Sequence, residues 1–197
     1  MRWQPSLLDA DEPDVDAGFA GAQKTLLDAA SWVEYVPEWL QGSDTLFEEL
    51  VERADWDQPD MRMYDRTVIQ PRLSARWPDI PELDALRDVM LALLSSRYDR
   101  KFDSIGLNLY RDGRDSVAWH GDRIPDELAQ PVVALVSLGE RRSLLLRPKG
   151  GGKSRRFELG RGDLLVMGGD SQRTWQHSVP KRSAAGARLS VALRHSR

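Results

Sequence analysis

Three histidines occur in 197 residues. One of them, His120, stands one glycine away from a carboxylate in the run DSVAWHGD. Side chains on a strand alternate with period two, so His120 and Asp122 point to one face and can reach the same ion. A second imidazole, His177, lies in the later run TWQHSVPK. Two imidazoles and one carboxylate with open positions make the facial triad of non-heme Fe(II) oxygenases. Zinc hydrolysis uses the same kinds of donor.

The arginines favour the first chemistry. ARLSVALRH holds Arg188 and Arg194 an even number of residues apart, on one face of a strand. Two inward guanidiniums need anions, because an unpaired buried charge is costly. The two carboxylates of one small diacid would satisfy both in bidentate fashion. Asn108 and Tyr110, two apart on the strand leading to His120, add polar groups to the same pocket.

These residues need a sheet-rich scaffold to gather them. SDTLFEELVERADW reads as a helix capped by Ser43 or Asp44, with Leu46, Phe47, Leu50 and Val51 as its apolar stripe. PELDALRDVMLALLSSRY reads as a second helix, with Leu83, Leu86, Met90, Leu93 and Leu94 at helical spacing. LLDAASWVEYVPEWL and MRMYDRTVIQPRLSARWP alternate as strands, broken at Pro37 and Pro71. After Phe102 come eight short strand-like runs punctuated by Gly, Pro, Asp or Arg. They predict an α+β fold, mainly β, a sandwich or jelly roll with the two N-terminal helices backing one sheet. The GGGKS at 150–154 lacks the spacing and the strand-to-helix context of a phosphate loop and reads as a hairpin tip.

Composition bounds the rest. At 41% hydrophobic and 30% charged, the chain can build one domain with a sizeable core. Residues 1–22 read as an acidic, disordered extension and 23–197 as the domain. The formal net charge of −3 hides a basic later half that includes Arg141, Arg142, Arg147, Lys149, Lys153, Arg155, Arg156 and Arg161. There is no cysteine, which excludes disulfides, thiolate zinc sites and cysteine nucleophiles. No apolar run is long enough to span a bilayer, and the expected location is the cytoplasm.

At these residues the sequence resembles the AlkB-type Fe(II)- and 2-oxoglutarate-dependent dioxygenases. NLYRDGRDSVAWHGD, PVVALVSLG, RGDLLVMGG, TWQHSVPK and the pair Arg188 and Arg194 carry the resemblance, in that order. QPRLSARW is similar to the family's nucleotide-recognition lid, at about 60–80. The likeness runs from about Trp32 to the C-terminus. It implies a double-stranded β-helix that binds Fe(II) through His120, Asp122 and His177. Arg194 would pair with the 1-carboxylate of 2-oxoglutarate and Arg188 with the 5-carboxylate, helped by Asn108 and Tyr110.

The implied activity is oxidative dealkylation of N-alkylated bases in DNA, a direct reversal of damage coupled to decarboxylation of 2-oxoglutarate and using O2. Alternatives are an RNA demethylase or a protein side-chain oxygenase of the same fold, or a nucleic-acid-binding relative without turnover. The expected protein is a monomer that meets DNA or RNA and no membrane. Tyr64, Arg72, Arg76 and Trp77 are the lid's substrate-contact candidates, and the basic hairpin (Lys149, Lys153, Arg155, Arg156) would track a nucleic-acid backbone. Trp119 and Trp175 read as wall or core. His195 reads as part of a frayed tail with no role. Two positions depart from the family pattern. Ile124 stands where relatives place an acid against the base's exocyclic amine, and is kept as a substrate-contact candidate; Ser190 stands where asparagine is common.

Overall fold

The computed structural model describes residue 1, residue 4 and residues 11–63, 66–122 and 124–195, with the side chains of all except 61–63 and 66–68. Its elements in chain order are β1 (Asp14–Val15), β2 (Gln23–Leu26), β3 (Ser31–Val36), β4 (Leu40–Gln41), α1 (Ser43–Arg53), β5 (Asp60–Met63), β6 (Arg66–Ile69), β7 (Leu73–Arg76) and α2 (Pro81–Tyr98). Then follow β8 (Ser104–Tyr110), β9 (Val117–His120), β10 (Val133–Gly139), β11 (Arg142–Pro148), β12 (Arg155–Leu159), β13 (Leu164–Gly169), α3 (Ser171–Thr174), β14 (Trp175–Val179) and β15 (Arg188–Arg194).

Two antiparallel sheets face each other as a jelly roll. The larger runs β2-β3-β13-β10-β15-β8-β7 and the smaller β12-β11-β14-β9. Strand β10 explains the layering, for every residue in it is buried. Ala134, Val136 and Leu138 face an outer core with Leu46, Phe47 and Leu50 of α1 and Met90 and Leu94 of α2. Val133 and Leu135 face an inner core between the sheets, with Leu144, Leu146 and Ala192. A strand covered on both sides is apolar at nearly every position, which is why PVVALVSLG shows no alternation, Ser137 apart. Each fully buried Val, Leu, Phe or Met among these contributes roughly 1.5–3 kcal/mol through burial.

The eight strands expected after Phe102 all form, and both helices back the larger sheet as expected. Among the described residues no helix is long and apolar enough to cross a membrane.

Three expectations are corrected. Helix α1 is not capped by Ser43 or Asp44. Its N-cap is Gly42, at φ 61°, without a side-chain cap. A Cβ there would stand 2.5 Å from Asp11 O, so the close pass of the 11–12 backbone requires glycine. Asp44 instead reaches Arg161 Nε at 2.9 Å. The N-terminal segment is not an extension as far as residue 22. Strand β1 pairs with β4, and Val15 and Phe19 are buried in the outer core, with the Phe19 ring 5.6 Å from that of Trp39. His195 is not frayed either. It is 3% exposed, and its Nε2 accepts the Val132 N–H at 2.9 Å.

Candidate active site

Strands from both sheets meet in a cavity of about 1290 Å³. The larger sheet supplies Asn108 and Tyr110 from β8, and Arg188 and Arg194 from β15. Arg188 lies opposite Tyr110 and Ser190 opposite Asn108, so the alternation read from the sequence puts these polar residues on one face. The smaller sheet supplies His120 and His177, which are direct cross-strand partners with ring centroids 4.2 Å apart. Asp122 follows His120 just beyond the end of β9.

The protonation states suit metal ligation. His120 Nδ1 lies 2.9 Å from Ala118 O, a carbonyl that can only accept, so Nδ1 carries a proton and Nε2 is the ring nitrogen available to a metal. Burial pushes the His177 pKa down to about 4, assisted by His120, Arg194 and Arg72 against the pull of Asp122. Its ring is therefore neutral near pH 7. Burial alone would raise the Asp122 pKa, but Arg194 and His177 overcome it and keep the carboxyl below its usual range.

Asp122 Oδ1 takes hydrogen bonds from Arg194 Nη2 at 2.7 Å and Nε at 3.2 Å. Its Oδ2 is buried without a hydrogen-bond partner and lies 3.9 Å from His177 Nε2. A buried carboxylate oxygen left without a hydrogen-bond partner beside the neutral His177 ring, whose cross-strand partner is His120, fits a divalent cation. Among the described residues no three His, Asp or Glu groups already close around one point. The set is open on one side, where Asp122 turns to Arg194.

Arg188 forms the deep wall. It is 2% exposed, and its Nε donates to Ser137 Oγ at 3.1 Å. Burial pushes its pKa down to about 10. Among the described residues no carboxylate pairs with it. The Tyr110 ring lies 5.3 Å from its guanidinium, with a second buried guanidinium, Arg142, 5.7 Å away. Arg142 is held by the carbonyls of Asp112, Asp115 and Pro180 at 2.9–3.1 Å. A deep cationic wall with a phenol beside it can take the far carboxylate of a short diacid.

The lid candidates divide. Arg72 lines the cavity, and its Nε is buried without a partner. Arg76 is exposed at the edge of β7, and Trp77 packs against the outer core. Ile124 packs against the inner core and is not among the described residues of the cavity wall. Tyr64 lies outside the described residues. Of the basic residues, Arg155 donates to Leu26 O and Leu27 O at 2.7 and 3.1 Å, while Lys149, Lys153 and Arg156 are exposed. Trp175 is core, as expected. Trp119 lines the cavity with the Arg147 guanidinium 4.2 Å over its ring.

Sequence reasoning missed Ser137, Arg142 and Gln172. Ser137 had a signal, being the one polar side chain in the otherwise apolar strand VALVSLG. Arg142 was hidden in a run of bases, and nothing local marks Gln172, whose Oε1 accepts the Asp122 N–H at 3.2 Å.

Residues 20–197 match the profile described as 2OG-Fe(II) oxygenase superfamily. The chain is 30% identical over 222 residues to "DNA oxidative demethylase ALKBH2" of Arabidopsis thaliana, covering 89% of this chain and 70% of that one. It is 32% identical to "Alpha-ketoglutarate-dependent dioxygenase alkB homolog 3" of Bos taurus, covering 72% of this chain and 57% of the relative. It thus spans a little over half of that mammalian relative. Among solved structures, a prolyl hydroxylase from Trichoplax adhaerens superposes with a TM-score of 0.62 at 14% identity, over 83% of each chain, which bears on the fold alone. By profile and relatives the chain belongs to the 2OG-Fe(II) oxygenase superfamily, in its AlkB-type branch, and with that membership come Fe(II), 2-oxoglutarate and O2.

Proposed function

We propose that this protein removes N-alkyl groups from DNA bases by oxidation, with His120, Asp122 and His177 holding Fe(II) and Arg188, Arg194, Asn108 and Tyr110 holding 2-oxoglutarate. When bound, iron supplies the redox chemistry that couples decarboxylation of 2-oxoglutarate to oxidation of the alkyl carbon by O2. The protein's own groups do the rest. Arg188 and Tyr110 anchor the 5-carboxylate at the buried end, which orients the keto acid's other end toward the triad. Arg194, beside Asp122, meets the 1-carboxylate. His177 stays neutral, and it and His120 would offer ring nitrogens to the iron. Arg72 and Trp119 at the wall offer a cation and an aromatic plane to a base taken out of its stack. Once hydroxylated, the alkyl carbon leaves as an aldehyde and the base is restored. The protein acts as a monomer in the cytoplasm.

The observation that carries this reading is the convergence in one cavity of two cross-strand imidazoles, a carboxylate oxygen without a hydrogen-bond partner and a buried guanidinium with no carboxylate beside it among the described residues. The relatives' printed activity supplies the substrate class. The test incubates anaerobically purified protein with Fe(II), 2-oxoglutarate and a panel of N-alkylated DNA and RNA oligonucleotides, then admits air and weighs the products. Loss of the alkyl mass from DNA, dependent on 2-oxoglutarate, is expected. Loss from the RNA panel alone makes RNA the substrate, and no loss from either refutes dealkylation.

A further inference from the structure

Asp122 lies beyond the last residue of β9, past the end of the strand ladder. Its N–H is donated across 50 residues of sequence to Gln172 Oε1 at 3.2 Å. Gln172 sits in α3, is 4% exposed, and directs its Nε2 to Met167 Sδ at 3.7 Å. That second contact fits the amide's orientation, oxygen toward the N–H and nitrogen toward the sulfur. The main chain of Gln172 approaches as well. A Cβ on Gly121 would stand 2.9 Å from Gln172 O and 3.6 Å from Trp175 O. The neighbouring Arg173 holds the segment after the ligand, its Nη2 donating to Asp126 O at 3.0 Å and Leu128 O at 2.7 Å. Helix α3 therefore grips the chain on both sides of Asp122.

We propose that Gln172 is a positioning residue for the iron ligand Asp122, and that the glycine between His120 and Asp122 is there to admit it. The side-chain oxygen of Gln172 holds the Asp122 N–H while its main-chain carbonyl lies against Gly121, so that the backbone of 121–122 is set, and the carboxylate kept beside His177, before metal arrives. A ligand on a free backbone would have to be ordered during binding, at a cost in conformational entropy. Partners that orient metal ligands change affinity about 10–100-fold. The inference rests on His120, Asp122 and His177 as the iron ligands and is independent of the substrate.

The test reads metal affinity with no turnover: anaerobic titration with Co(II), followed by visible absorption and by competition with Fe(II). Gln172→Met keeps the volume and the contact with Met167 but removes the acceptor, and should weaken metal binding about 10-fold or more. Gly121→Ala should weaken it too, by forcing α3 away, and carries the same test if Gln172→Met does not fold. Thr174→Ala is the control for a merely structural role. It cuts the contacts of Oγ1 with Asp170 O at 2.9 Å and Ser31 Oγ at 3.1 Å in the same helix without touching Asp122. It should lower the melting temperature and leave metal affinity unchanged. Wild-type affinity in Gln172→Met and Gly121→Ala overturns the proposal, as does an equal loss in Thr174→Ala. His120→Ala separates the two readings. If it abolishes binding while Gln172→Met does not weaken it, positioning alone fails; if it binds metal normally, the ligand assignment fails and positioning with it.

Discussion

Arg188 shows how one residue can serve binding at the cost of the unliganded fold. Its guanidinium is buried, its pKa is pushed down by that burial, and its Nε donates to a neutral hydroxyl, that of Ser137. Replacing such a charge with an apolar side chain of similar length often stabilises a protein. Arg188→Met should therefore raise stability without cosubstrate by about 1–3 kcal/mol and remove 2-oxoglutarate binding. Melting curves and titration of the Fe(II)–2-oxoglutarate charge-transfer absorption check the two halves, and a variant that loses both stability and binding contradicts the reading. Arg194→Lys is a milder change. Arg194 now offers two nitrogens to one oxygen of Asp122, and lysine keeps the charge but loses the fork. The apparent affinity for 2-oxoglutarate should fall about tenfold, roughly 1.4 kcal/mol; an unchanged titration would mean Arg194 does not meet the carboxylate.

At the scale of elements, Glu34 ties the end of α2 to β3. Its carboxylate accepts Arg97 Nε at 3.0 Å and Nη2 at 3.1 Å, and the Tyr98 hydroxyl at 2.5 Å. Burial alone would raise its pKa, yet Arg97 and Tyr98 overcome it and hold the pKa below the ordinary 4.5. A folded pKa below the unfolded one means the contribution is fully present above pH 4.5 and is lost as pH falls through the folded value. Glu34→Gln should cost about 1–3 kcal/mol at pH 7, and the gap to wild type should narrow as the solution is made more acidic than that. Urea unfolding of both proteins at neutral and acidic pH measures it. A gap independent of pH would show that Glu34 acts by packing rather than by charge.

Across the whole molecule, the proposed iron and cosubstrate ligands come from opposite sheets, His120 and His177 from the smaller and Asn108, Tyr110, Arg188 and Arg194 from the larger. A bound metal and diacid would staple the two layers and satisfy groups that the unliganded fold leaves unpaired. At a hundredfold excess over Kd, a ligand that binds only the folded state adds about 2.7 kcal/mol. For a chain of this size that is a rise of about 5–10 °C in Tm. Mn(II) with 2-oxoglutarate should produce it in wild type, and Arg188→Met should respond to the metal but not to the diacid. An equal response in both proteins would place the diacid elsewhere.

The sequence by itself determined what depends on local periodicity. The two helices follow from apolar spacing, the eight later strands from short runs between turn residues, and the shared faces of Asn108 with Tyr110 and of Arg188 with Arg194 from a strand's period of two. The donor types left an Fe(II) oxygenase and a zinc hydrolase open, and the pair Arg188 and Arg194, with the motifs that resemble the AlkB type, favoured the first. Tertiary structure decided whatever rests on contact between residues far apart in the chain. Val15 and Phe19 read as part of a charged tail until Trp39 is beside them. Arg142 reads as one base in a basic run until three carbonyls enclose it. The glycine inside the histidine–aspartate pair has no local reason, and its cause is the carbonyl of Gln172 arriving from another strand connection. Side-chain alternation says which way a residue points; only the packed fold says what it meets.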